Sequence, residues 1–143
     1  MKIRYAYLPA LAALLVTQLA LADSKLYGDS DPGTPFPDKS TVQRDGDISR
    51  MVVLYSYRRM KSGTMYHSGK NDTYYYRSTK VVYDFNCTKK RSKIIQTVFF
   101  SDQEGKGNIV HDLSSPGDWT PERDHKNPNS AINIACSSHV AKP

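Results

Sequence analysis

Two cysteines constrain this 143-residue chain more than any other feature, because they are its only ones and the chain opens with an export signal. In an oxidising compartment Cys87 and Cys136 have a single possible pairing. The element that ends at residue 87 must then lie beside the element that carries residue 136. A covalent loop of this length is worth about 4 kcal/mol in the chain-entropy view, a large contribution where the hydrophobic core is small. We read the bridge as structural.

The export signal rests on composition. Lys2 and Arg4 precede an apolar run over residues 8–22 that contains no acidic residue. Its length, about 15 residues, falls short of the roughly 20 that span a bilayer as a helix. Ala20-Leu-Ala22 supplies the small-x-small pattern of a signal-peptidase site. Residues 1–22 are therefore expected to be a signal peptide cleaved after Ala22, and no later segment is apolar enough to be a transmembrane segment. With no cysteine at the junction to carry a lipid, the product is expected to be exported and periplasmic, or released or associated with the cell surface. Lys2 and Arg4 leave with the signal, so the +6 of the whole chain becomes +4, and the apolar share drops below 38%. That charge is too dilute for a phosphate-binding face, and nucleic acid is not expected as a partner.

Residues 23–40 are rich in Asp, Ser, Gly and Pro, without periodicity, and read as a flexible leader to a domain over residues 41–143. Residues 52–58 are β-branched and aromatic and read as a strand, with Tyr55 and Tyr57 on one face. Ser62-Gly63 and residues 67–72 read as turns, with an extended segment over residues 74–77. Residues 80–87 alternate, placing Val81, Tyr83, Phe85 and Cys87 on an inward face and Asp84 and Asn86 opposite. A strand over residues 93–100, a hairpin connection over 101–107 and a strand over 108–113 follow. After a charged, irregular stretch, Pro128, Asn129 and Ser130 announce a last element. There Ile132, Ala135, Cys136 and His139 have helical spacing, while Ile132, Ile134 and Cys136 also alternate as in a strand. A short C-terminal helix bridged to residue 87 is the simpler of these two readings.

Three stretches carry a resemblance to a known family: Val81-Val-Tyr-Asp-Phe-Asn-Cys87, Phe99-Phe-Ser-Asp-Gln-Glu-Gly105 and Asn127-Pro-Asn-Ser-Ala-Ile-Asn-Ile-Ala-Cys136. Their order and spacing resemble the surface-adhesin protein E family of small exported bacterial proteins, over roughly residues 41–138. The resemblance implies an α+β fold, with an antiparallel β-sheet of about five to six strands backed by a C-terminal helix and one disulfide tying a central strand to it. It also implies an opening hairpin turned at Asp45-Gly46, with a first strand over residues 42–44.

Catalysis is not expected. A small basic secreted protein invites a ribonuclease-like reading in which His111 and His139 act as base and acid beside Lys106. Neither these nor His67 and His125 have a spacing that demands proximity. No His-x-x-x-His or cysteine pair at ligand spacing is present, and Asp45-Gly-Asp47 lacks the other ligands of a calcium loop, so neither metal nor cofactor is expected. Basic residues cluster at 89–93 and at Arg58, Arg59 and Lys61, interleaved with tyrosines, which suits polyanionic or protein partners. A solvated hairpin tip is the plainer alternative. The family resemblance implies binding of host extracellular-matrix or serum proteins through a basic, tyrosine-rich segment upstream of the first cysteine. The matching residues here are Lys70, Tyr74, Tyr75, Tyr76, Arg77 and Lys80. A homodimer through edge strands is a further implication. The competing functions are a periplasmic housekeeping or inhibitor protein on the same scaffold and the small basic hydrolase. Amino-terminal sequencing of the exported protein is expected to read Asp-Ser-Lys-Leu from Asp23; a retained residue 1 would refute the cleavage.

Overall fold

The computed structural model describes residues 32–137, so the expected signal peptide, its cleavage site, residues 23–31 and His139 lie outside the described residues. Five strands form one antiparallel sheet in chain order: β1 (Thr34–Asp45), β2 (Ile48–His67), β3 (Lys70–Asn86), β4 (Arg91–Phe100) and β5 (Ile109–Leu113). A two-residue strand, β6 (Thr120–Pro121), pairs with the start of β4, and a single helix, α1 (Ala131–Ser137), follows. The expected α+β sheet, its C-terminal helix and the Cys87–Cys136 bridge are all present, with the two Cα atoms 5.6 Å apart.

Local chemistry explains the turns. Gly46 at φ +56° closes the β1–β2 turn, while Ser68 at +50° and Gly69 at +80° give the paired left-handed residues that a two-residue hairpin requires. The core then follows from register. Val53 faces Val81, Met51 faces Tyr83 and Ser49 faces Phe85, which sets all six side chains on one face. Ile132 and Ala135 of α1 seal that face; with Met51 and Val53 they are fully buried, and Phe85 is nearly so. The helical reading of the last element is the one realised, with Ile132 and Ala135 inward.

Seven residues make a marginal helix in isolation, so the sheet holds α1 from several sides. The buried Ser49 hydroxyl donates to the Ala135 carbonyl at 2.8 Å and Arg44 Nη1 to the Cys136 carbonyl at 2.9 Å, satisfying acceptors that the helix leaves open at its end. On the entry side Asn133 Nδ2 donates to the carbonyls of His125 and Asn127. Asp84, expected on the outward side, is nevertheless buried, because Arg50 covers it with a two-pronged pair at 2.7 and 2.9 Å.

Three local expectations need correction. Residues 34–40, read as leader, belong to β1, which starts at Thr34; Pro35 and Pro37 are compatible with this because β1 is an edge strand and proline lacks only the outward donor there. The first strand is accordingly longer than residues 42–44. Ser62-Gly63 is no turn but mid-strand, paired with Tyr75 and Tyr74. A Cβ on Gly63 would sit within 2.3–2.7 Å of the Tyr74 ring, so the glycine is there for close approach rather than for bending.

The bridge and its helix are expected to be energetically decisive. Cys87→Ser with Cys136→Ser should lower unfolding free energy by about 4 kcal/mol, with a steeper urea slope because the unbridged denatured chain is more open, and Ile132→Ala by about 3 kcal/mol, read as a midpoint shift at constant slope. Midpoints within error of the parent would show that α1 does not hold the sheet.

Candidate functional site

β2 and β3 outrun the rest of the sheet. Pairing with β1 stops at Ser56 and pairing with β4 at Ser78, so residues 61–76 pair only with one another and project as a two-stranded arm of roughly 23 Å. Residues 58–77 contain five cations and a single acid, Asp72, a net +4.

An irregularity marks the arm's base. Four residues of β2, 57–60, stand opposite the single residue Arg77 of β3. This bulge is tied down twice: Arg77 Nη2 donates to the Arg58 carbonyl at 3.0 Å, and Gln103 Nε2 to the Tyr57 carbonyl at 2.7 Å. Arg58 and Arg59 are exposed at its crest beside Met60, which is 61% exposed. The bulge also changes the phase of alternation. Below it, odd residues of β3 face the helix, and Thr79 lies opposite Phe99; above it, the even residues Tyr74 and Tyr76 meet the Phe99 ring at centroid distances of 5.2 and 4.9 Å. Tyr57 joins edge-on to Tyr76 at 5.6 Å, and His111 of β5 lies 4.6 Å from Tyr74. Burial pushes the Tyr74 and Tyr76 hydroxyls above their ordinary titration range. Nearer the helix, Tyr55 and Tyr83 share a hydroxyl–hydroxyl hydrogen bond of 3.2 Å and are raised by burial as well.

The six residues singled out from sequence are thus divided by the fold. Tyr74 and Tyr76 are brought together in the aromatic cluster. Tyr75 stands on the other side of the arm, 58% exposed. Arg77 is a clamp for the bulge, its Nε buried without a hydrogen-bond partner. Lys70 sits at the tip opposite His67, while Lys80 lies in the main sheet with its ammonium 5.3 Å from the Phe100 ring. Ten residues of strand separate those two lysines by roughly 30 Å, so they describe a stripe rather than a pocket. Sequence reasoning did not find Tyr57, Phe99 and His111 as members of the cluster. The signal was present, since Phe99 and His111 occupy facing strands, but their adjacency depends on a register that only pairing reveals.

Of the residues of the hydrolase reading, His139 lies outside the described residues. His111 packs on Tyr74 and Phe99, and Lys106 pairs with Glu104 at 2.7 Å. Among the described residues no group of three or more His, Cys, Asp or Glu is placed to hold a metal, and no helix is long and apolar enough to cross a membrane.

The sequence profile of surface-adhesin protein E matches residues 24–137. Among solved structures, protein E from non-typeable Haemophilus influenzae is 16% identical, with a TM-score of 0.48 over 72% of this chain and 67% of that one. A selenomethionine form of the Haemophilus influenzae protein is 18% identical, with a TM-score of 0.42 over 71% and 74%. No curated protein sequence matches the chain.

Raised tyrosine hydroxyls carry a sign. A phenol whose folded pKa lies above its unfolded value stabilises the fold fully below the unfolded pKa, near 10, and that stability is lost as pH rises through the folded value. Phenolate absorbance is accordingly expected to show a class of tyrosines titrating above the rest, with loss of near-ultraviolet circular dichroism as they ionise. A single titration at the ordinary value with the fold intact would contradict the half-buried packing of these rings.

Proposed function

The chain belongs to the surface-adhesin protein E family, and from that premise we propose that it is a non-enzymatic binding protein of the bacterial envelope that engages host extracellular-matrix or serum proteins through its β2–β3 arm. The observation that carries this reading is the arm together with its base: residues 58–77 hold a net +4, and Tyr66 and Tyr75 stand exposed on the projecting ribbon, at 75% and 58%. Projecting cations speed and orient encounter with an acidic partner surface, and exposed tyrosines add contact area at low entropic cost. Lys70, Tyr74, Tyr75 and Tyr76 of the arm, Arg77 at its base and Lys80 in the sheet below it have separate tasks. Lys70, Tyr75 and Lys80 meet the partner, Tyr74 and Tyr76 stiffen the arm from its inner side, and Arg77 sets the bulge that displays Arg58 and Arg59. Export places the protein in the periplasm or at the cell surface, and the arm's unpaired edges are the natural place for a homodimer contact.

The test is binding of the oxidised, folded protein to immobilised matrix and serum proteins at low and physiological salt. Lys70→Ala with Lys80→Ala is expected to weaken binding about tenfold and to flatten its salt dependence, with the fold unchanged by circular dichroism. Arg77→Ala is kept apart because it also releases the bulge. No binding by the folded parent, or equal binding by the double variant, would remove the role from this basic stripe.

A further inference from the structure

A second site lies outside the arm and does not depend on that reading. Between the start of β1 and the loop over residues 122–130 is a half-open cleft of about 280 Å3, just under the range of roughly 300–1,000 Å3 that takes drug-sized ligands. It is sized for one side chain or a small fragment. Pro35, Pro37, Tyr55 and Tyr83 form its walls, and Glu122 and Asp124 are the only charged groups in its lining among the described residues. Arg123, His125 and Lys126 belong to the same loop but do not line it. An anionic cleft is the opposite of what the overall charge of +6 would place there.

Its carboxylates are anchored yet incompletely engaged. Glu122 Oε1 accepts from Ser92 Oγ at 2.5 Å, and its backbone N–H donates to the Lys90 carbonyl at 2.9 Å. Asp124 Oδ2 accepts from Asn127 Nδ2 at 3.2 Å. The second oxygen of each carboxylate has no protein donor among the described residues. The prolines add a further bias. Neither has a backbone N–H, so this stretch of β1 offers an anion little while presenting apolar rings to an alkyl stem. Burial, with a smaller contribution from the Glu122 charge, holds the Tyr55 and Tyr83 phenols up. Aromatic walls with carboxylates at the rim are the surroundings that favour an organic cation.

We propose that this cleft is a binding site for an alkylguanidinium or alkylammonium group, its stem against Pro35, Pro37 and the tyrosine rings and its charge at Glu122 and Asp124. Two sources share that chemistry, a free alkylamine or alkylguanidine and an arginine or lysine side chain of a partner protein. Titration of isotope-labelled protein, followed by amide resonances, separates them with three probes: agmatine, acetyl-Gly-Arg-Gly-amide and acetyl-Gly-Leu-Gly-amide. Saturable shifts at Tyr55, Tyr83, Glu122 and Asp124 are expected with the cationic probes, at a Kd on the order of 1 mM, and not with the leucine peptide. Asp124→Asn should weaken them about tenfold, as should Glu122→Gln, which keeps an acceptor for Ser92. A tighter peptide than agmatine identifies a partner's side chain; equal affinities identify the free amine. The proposal is overturned if neither cation shifts these residues saturably, if the leucine peptide binds as well, or if both neutral variants bind like the parent.

Discussion

The Cys87–Cys136 bridge is the constraint on which the rest depends, because it joins the end of the central strand to a helix too short to persist alone. Without α1, the buried face of Met51, Val53 and Phe85 would open to water. The bridge does not act by itself. Ser49 and Arg44 hold the carbonyls at the helix end, and the Arg50–Asp84 pair ties β2 to β3 on the opposite side of the sheet. Covalent closure supplies persistence, and the hydrogen bonds supply orientation.

At the other end of the sheet the same two strands continue without helix or neighbour. A bare two-stranded ribbon is marginal in water, so its base needs a substitute core. Rings of Tyr57, Tyr74, Tyr76, Phe99 and His111 provide it, and Gly63 makes the space for Tyr74. The cluster is possible only because the bulge opposite Arg77 changes the phase of β3, turning Tyr74 and Tyr76 to the face that Phe99 occupies. One irregularity therefore does two things. It builds the arm's support on one side and displays Arg58, Arg59 and Met60 at its own crest.

Much of this was legible in the residues, and what was not has a common cause. Residues 80–87 alternate without a break, so their strand and its inward face could be read directly. The bridge needed only a count of cysteines, and helix α1 was the simpler of the two readings that the spacing behind Ser130 allows. Pairing is different. The bulge leaves no mark on composition, since Tyr57, Arg58, Arg59 and Met60 read as ordinary strand residues. Gly63 was misread because a glycine that admits a ring and a glycine that turns the chain look alike in sequence. Pro35 and Pro37 misled in the same way, since an edge strand tolerates what an interior strand does not. Of the candidate site, the residue types were legible, whereas their division into stiffening, clamping and exposed groups depends on the phase set at the bulge.

The distribution of charge links the two ends of the molecule. Residues 58–77, the arm and its base, carry a net +4 that equals the charge expected for the whole exported chain, so the remainder of that chain is close to neutral and the positive field is centred on the bulge, with Lys70 at the far tip. Screening limits such a field to about 8–10 Å at physiological ionic strength, which makes projection as consequential as charge. A ribbon roughly 23 Å long carries Lys70 more than two screening lengths beyond the sheet. The carboxylates of the cleft near Tyr55 and Tyr83 are consequently shielded from the tip. Two surfaces of opposite preference can coexist on one small sheet because strand overrun, rather than residue count, keeps them apart.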